Sequence, residues 1–247
     1  MRLPRRTRLG CLILIAALLL ACGDGGKTSH AITLQDINGR KIQVELSSGA
    51  HWFASFKVGW FRVKAAPQFV LWIEDADGNY IDTLYITRKF AKQSWGARGQ
   101  EAGKTFRQEA LPYWLHQRLR AGFPPPTKRE PLPDAISSPT PKGKFVLSSK
   151  AAAILKEANV MLEINGACDG NESFPNNAPE GSPAYNGASG QPAVVYQALV
   201  DLSRPGSYDF KPIGYSSPSG ANGLLYSDLK KLTTALQMIQ SARVVVE

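Results

Sequence analysis

The stretch from Phe69 to Thr87, FVLWIEDADGNYIDTLYIT, limits the fold more than any other part of this chain. In an extended backbone successive side chains point to opposite faces, so Phe69, Leu71 and Ile73 share one face and Val70 and Trp72 the other. Both faces are apolar. Such a strand has to be covered on both sides, as the central strand of a packed sheet is. The Asp75-Ala76-Asp77-Gly78 segment reads as a turn in which Gly78 supplies positive φ, and Tyr80 to Thr87 returns as a second strand. The chain is therefore expected to have a β core.

The rest of the sequence repeats that pattern. Ile32-Thr33-Leu34 and Lys41 to Leu46 flank Asn38-Gly39, a pair that accepts positive φ, so a first hairpin is expected there. His51 to Phe56 reads as a strand, and Val58-Gly59-Trp60-Phe61 bends back toward the central hairpin, with aromatic density that suits a core. Glu109 to Arg118 reads as a short helix with Pro112 in its first turn, where a missing N–H costs least. Prolines at 124, 125, 126, 131, 133, 139 and 141 make the segment from about 123 to 142 an extended crossing over the surface.

Beyond it, Ser149 is placed to cap a helix from Ala151 to Glu157. Val160 to Asn165, Ala193 to Asp201 and Tyr208 to Tyr215 read as strands, the last confined to an edge or bulge by Pro212. Leu225, Leu229, Leu232, Leu236 and Ile239 recur at helical spacing ahead of a final strand, Val244-Val245-Val246. The expected fold class is all-β, an immunoglobulin-like β-sandwich over residues 31–247 with about seven to nine strands and one or two short helices. The 247 residues, 43% hydrophobic and 20% charged, suffice for such a core.

The N-terminus speaks about location. A basic segment holding Arg2, Arg5, Arg6 and Arg8 precedes the apolar run Cys11 to Ala21, which is shorter than the ~20 residues a membrane-spanning helix needs. It reads as an export signal over residues 1–21. The run ends in Leu19-Leu20-Ala21-Cys22, which resembles the bacterial lipobox, whose cysteine is lipidated and becomes the new N-terminus. Residues 22–30 then form a lipidated cysteine and a flexible tether. By resemblance to such lipoproteins, Gly23 after the cysteine implies the outer membrane, facing the periplasm.

Losing the four leader arginines takes the formal charge from +9 to +5. A nucleic-acid binder concentrates Lys and Arg on one face, and the only comparable cluster, Arg88-Lys89-Phe90-Ala91-Lys92, reads as a solvated strand end, so no nucleic-acid partner is expected. With Cys11 removed and Cys22 lipidated, Cys168 stands alone and is expected to be a buried, inert thiol.

Candidate chemistry is sparse. Asp75, Asp77 and Asn79 alternate as calcium ligands do, but the sixth and twelfth positions are Tyr80 and Ile86 where a calcium loop has Gly and Glu, which leaves a structural turn. A better oxygen cluster is Asp169, Asn171 and Glu172 in the long loop from Gly166 to Pro192, with Glu163 on the preceding strand, a candidate Ca²⁺ site. Trp95 and Trp114 are candidate platforms for a sugar ring. The histidines are His30, His51 and His116, with no metal-binding pair at helical spacing. A nucleophile elbow and a phosphate loop are also missing from the sequence.

Four segments carry a family resemblance: Pro67 to Gly78, Glu109 to Trp114, Asp134 to Gly143, and Gly190-Gln191-Pro192. Together they resemble the predicted periplasmic proteins grouped as domain of unknown function 2271, over about residues 50 to 246. The resemblance implies export and assigns no activity. Within it, Asp134-x-x-Ser137-x-x-Thr140 is similar to the Asp-x-x-Ser-Gly-Ala-Thr motif at which a periplasmic transferase esterifies FMN phosphate onto threonine; Ser138 and Pro139 stand where that motif has Gly and Ala. The resulting expectation is a membrane-anchored binding or accessory lipoprotein. A flavin-linked electron-transfer accessory and a carbohydrate-binding lipoprotein are the alternatives, with a protein or glycan partner.

Overall fold

The computed structural model describes residues 27–58, 60–95, 106–187 and 190–247. In chain order the early strands are β1 (Ser29–Ile32), β2 (Gly39–Ser48), β3 (Ala54–Val58), β4 (Phe61–Ala65), β5 (Gln68–Glu74) and β6 (Tyr80–Thr87). Two helices follow, α1 (Arg88–Ala91) and α2 (Pro112–Arg120). The remaining strands are β7 (Ser137–Ser138), β8 (Phe145–Ala152), β9 (Glu157–Asn165), β10 (Val194–Asp201), β11 (Gly206–Asp209), β12 (Lys211–Tyr215) and β13 (Ile239–Val246). One sheet runs β1-β8-β2-β13-β11, a second runs β12-β10-β9-β5-β6-β7, and β3 pairs with β4 alone. The protein is mainly β, with 40% of the described residues in strands and 13% helical.

The two large sheets pack face to face. Ile42, Val44, Leu46, Phe145, Leu147 and Val244 of the five-stranded sheet meet Phe69, Leu71, Ile73, Leu162 and Ile164 of the six-stranded one. Phe69 lies at the centre, its ring 5.2 Å from Tyr85, 5.6 Å from Phe145 and 5.8 Å from Trp52. The five-stranded sheet keeps one face wet, which gives β8 its strict alternation of buried and half-buried residues.

The six-stranded sheet is covered on both faces, and β5 is buried at every residue. Val70 and Trp72, pointing away from the sandwich core, pack with Met161 and Val195 under Phe90, Leu111, Trp114, Leu115 and Leu132. The two-sided apolar pattern of Phe69 to Ile73 thus has its physical cause in a third, partly helical layer. Pro112 opens α2 in its first turn, as expected.

Several local expectations are overturned. Asn38-Gly39 does not close a hairpin, because β8 lies between β1 and β2, parallel to the first and antiparallel to the second. Gly39 is required by that neighbour: a Cβ there would stand 1.8 Å from the Ala151 carbonyl oxygen. The helix expected from Ala151 to Glu157 is instead the end of β8 and the start of β9, and Ser149 bonds the Thr33 hydroxyl at 3.0 Å in place of capping.

The leucine repeat from Leu225 forms two 3-10 turns, Leu229–Lys231 and Thr234–Gln237. Of the repeat, Leu232 is buried and Leu229, Leu236 and Ile239 are half-buried against the sandwich core, beside buried Ala235 and Met238, with no continuous helix face. Tyr208 to Tyr215 is two strands in different sheets, and Pro212 sits in an edge strand. The strand total exceeds the seven to nine expected, because short edge strands escape a reading based on apolar runs.

Candidate functional site

The outer face of the six-stranded sheet holds the most unusual chemistry among the described residues. β9 is apolar from Val160 to Ile164 except for Glu163, which points away from the sandwich core, in line with Val70 and Val195 on its neighbours. A buried carboxyl demands donors, and α2 supplies them. Tyr113 N–H donates to Glu163 Oε1 at 3.0 Å and Trp114 N–H to Oε2 at 2.8 Å. These are unpaired amides of the first helical turn, so Glu163 caps α2 from another element and fixes it to the sheet. Complete burial pushes this carboxyl up to about 7, against the pull of the two amides and the Ser216 hydroxyl.

Glu74, the last residue of β5, is the second such group. It accepts the Trp72 indole N–H at 2.7 Å, and burial, with a smaller contribution from neighbouring Asp75, pushes it up to about 7. Tyr113 lies within the field of both carboxylates. Its phenol is raised by burial first and then by Glu74 and Glu163, while its oxygen accepts from Gln117 Nε2 at 3.0 Å. The backbone register sets Glu163 opposite Val70, four residues from Glu74, so the two Cα atoms are about 13 Å apart along the sheet. The Glu163 carboxylate thus holds the start of α2 against the sheet.

The residues singled out by sequence fall elsewhere. Cys22 lies outside the described residues. Asp169, Asn171 and Glu172 do not gather with Glu163. Asp169 Oδ1 accepts the Gln191 N–H at 3.2 Å, and burial pushes its carboxyl up to about 6. Asn171 accepts from Phe174 N–H and donates to the Lys231 carbonyl, both at 2.8 Å, and Glu172 is exposed. Asp169 and Asn171 thus serve backbone groups within the loop and at Lys231, and among the described residues no group of three or more His, Cys, Asp or Glu is placed to hold a metal. Asp75 shows the same economy: Oδ1 accepts the N–H groups of Asp77 and Asn79 at 2.9 Å, and Gly78 has φ of 82°, the structural turn expected.

At the flavin-like motif, Asp134 pairs with Lys92 at 2.8 Å, Ser137 is buried in β7 beside Ile86, and the Thr140 hydroxyl donates to the Pro67 carbonyl at 3.1 Å. Trp114 is wholly buried, edge-on to Phe90, with its N–H on Thr83. Trp95 is half-buried, with Lys89 Nζ 5.0 Å and the Arg107 guanidinium 5.2 Å from its ring centre.

Cys168 is a correction. It is exposed, in a left-handed conformation with φ of 55°, and partial burial and then Asp169 push its thiol up. His116 Nε2 donates to the Gly220 carbonyl at 3.0 Å. A cleft of about 620 Å³ opens beside Arg40, Lys41, Leu155 and Lys156. Arg40 there spends its donors on the carbonyls of Leu202, Ser203 and Glu247.

Sequence reading missed Glu74, Tyr113 and Ser216. The signal for Glu74 and Glu163 was present, a lone acid at an otherwise apolar strand position, but only the fold shows that α2 arrives above it. No protein family, curated protein or solved structure matches the chain.

Proposed function

We propose that this protein is a lipid-anchored binding or accessory module, exported and held at the outer membrane with its sandwich in the periplasm, of the domain of unknown function 2271 type. The observation that carries the proposal is Leu19-Leu20-Ala21-Cys22 at the end of a basic-then-apolar leader. Acyl chains on Cys22 contribute about 0.8 kcal/mol per buried CH₂, enough in combination to hold a protein at a bilayer. Among the described residues no helix is long and apolar enough to cross a membrane. The apolar core between the two sheets and the side-chain hydrogen bonds of the long loop support a binding or accessory reading.

The carbohydrate alternative draws no support from its two candidate platforms, since Trp114 is buried and cations lie over Trp95. Nor does the flavin alternative draw support from Thr140, whose hydroxyl is committed to Pro67. The test is the mass of the mature chain from a bacterial host, with Cys22→Ala as control. A diacylated or triacylated Cys22 as the first residue, lost together with membrane fractionation in the variant, is the expected result. An unmodified Cys22 overturns the reading.

A further inference from the structure

The hairpin β3–β4 stands apart from both large sheets, and its tip is the most exposed aromatic feature among the described residues. Trp60 is 99% exposed and Phe61 77%. Large apolar side chains grouped at the end of a projection mark a contact surface. The strands below the tip divide by face. Phe56 pairs with Val63 and Ala54 with Ala65, while on the other face Lys57 pairs with Arg62 and Ser55 with Lys64. Lys57, Arg62 and Lys64 are all exposed, and no Asp or Glu occurs between Glu45 and Glu74. An aromatic tip above a cationic shaft matches the layering of an anionic bilayer surface, where indole and phenyl rings settle at the interface and cations meet phosphate.

The topology adds an independent argument about place. The tether enters the fold at β1, whose Ser29 pairs with Phe145; Phe145 in turn pairs with Leu46, two residues before the end of β2. The hairpin departs just after that end. Tether and hairpin therefore leave the same end of the sandwich, about 10 Å apart across two strand spacings. Seven steps separate Cys22 from Ser29, a reach of at most ~25 Å, and a five-residue strand extends ~17 Å. A lipid on Cys22 thus leaves enough chain for the hairpin tip to meet the same bilayer. The long loop after β9 leaves this end too and exposes Glu172 and Glu180, so the cationic character belongs to the hairpin rather than to the whole end.

We infer that β3–β4 is a membrane-docking finger: Trp60 and Phe61 enter the interfacial layer of an anionic bilayer while Lys57, Arg62 and Lys64 contact lipid phosphates. It gives a protein on a flexible tether a second point of attachment, and so a fixed orientation. The inference rests on the lipid-anchored reading for the identity of the bilayer.

The test uses the mature chain reconstituted into phosphatidylcholine vesicles with and without about one-third phosphatidylglycerol. The Trp60 signal is isolated by subtracting Trp60→Phe. With anionic lipid, Trp60 emission is expected to move to shorter wavelength, to lose most of its acrylamide quenching, and to be quenched by spin-labelled lipid near the glycerol level. The triple variant Lys57→Gln/Arg62→Gln/Lys64→Gln is expected to lose that response. Circular dichroism unchanged in both variants keeps folding out of the comparison.

A Trp60 that stays water-like and acrylamide-accessible on both vesicles overturns the inference, as it would if the tip docked on a protein. Anchorage is read separately. Acyl mass on Cys22 with a water-like Trp60 overturns the finger alone, and a buried Trp60 on added vesicles without acyl mass overturns the anchor alone.

Discussion

Replacing Glu163 by Gln is the sharpest probe of the third layer, because it keeps the shape and removes the titration. The folded state raises this carboxyl from 4.5 to about 7. At about 1.4 kcal/mol per pH unit, that difference is worth roughly 3 kcal/mol. The folded chain holds a proton that the unfolded chain has already released across this range. The contribution to stability is therefore full below pH 4.5 and is lost as pH rises through about 7. In the variant no proton is taken up, so this part of the pH dependence disappears. The amide oxygen satisfies one of the two helix N–H groups and its NH₂ faces the other, a pH-independent cost of about 1–3 kcal/mol.

Urea unfolding of wild type and Glu163→Gln at steps from pH 4.5 to 8, read by circular dichroism, should give curves that converge or cross toward high pH. Glu74 and Asp169, raised to about 7 and about 6, have the same sign and leave a residual slope in the variant. Parallel curves, offset by a constant, would refute the assignment of a neutral-range proton to Glu163.

Two further outcomes follow from the same geometry. Trp114→Ala should cost about 3–5 kcal/mol in thermal or urea unfolding, as expected for a large side chain removed from a closed core, whereas half-buried Trp95→Ala should cost under about 2 kcal/mol. Equal costs would contradict the layering. Cys168 should react with iodoacetamide at pH 7 more slowly than free cysteine despite its exposure, because partial burial and Asp169 favour the thiol. Labelling at least as fast as free cysteine would overturn that environment.

The central strand was legible because its information is local. Alternation over Phe69 to Ile73 states which side chains share a face, and two apolar faces need two covers whatever those covers are. The Asp75 turn and Pro112 at the first turn of α2 were legible for the same reason, since side-chain oxygens and a missing N–H act within a few residues. The Asn38-Gly39 pair misled because a turn signal does not say which strand arrives next. Gly39 is there for β8, more than a hundred residues later. Leu225 to Ile239 misled because irregular chain packed on a flat core can bury residues at a helix-like interval.

By itself the sequence determined the β core and the apolar strand at its centre, because propensity and alternation need no partner to be read. Tertiary structure alone decided that Glu163 caps a helix, that Asp169 accepts the Gln191 N–H across the long loop, and that Trp60 and Phe61 stand in solvent while Trp114 does not. Burial and hydrogen-bond partnership are properties of pairs distant in the chain, and the side chain that needs a partner carries no record of where that partner comes from.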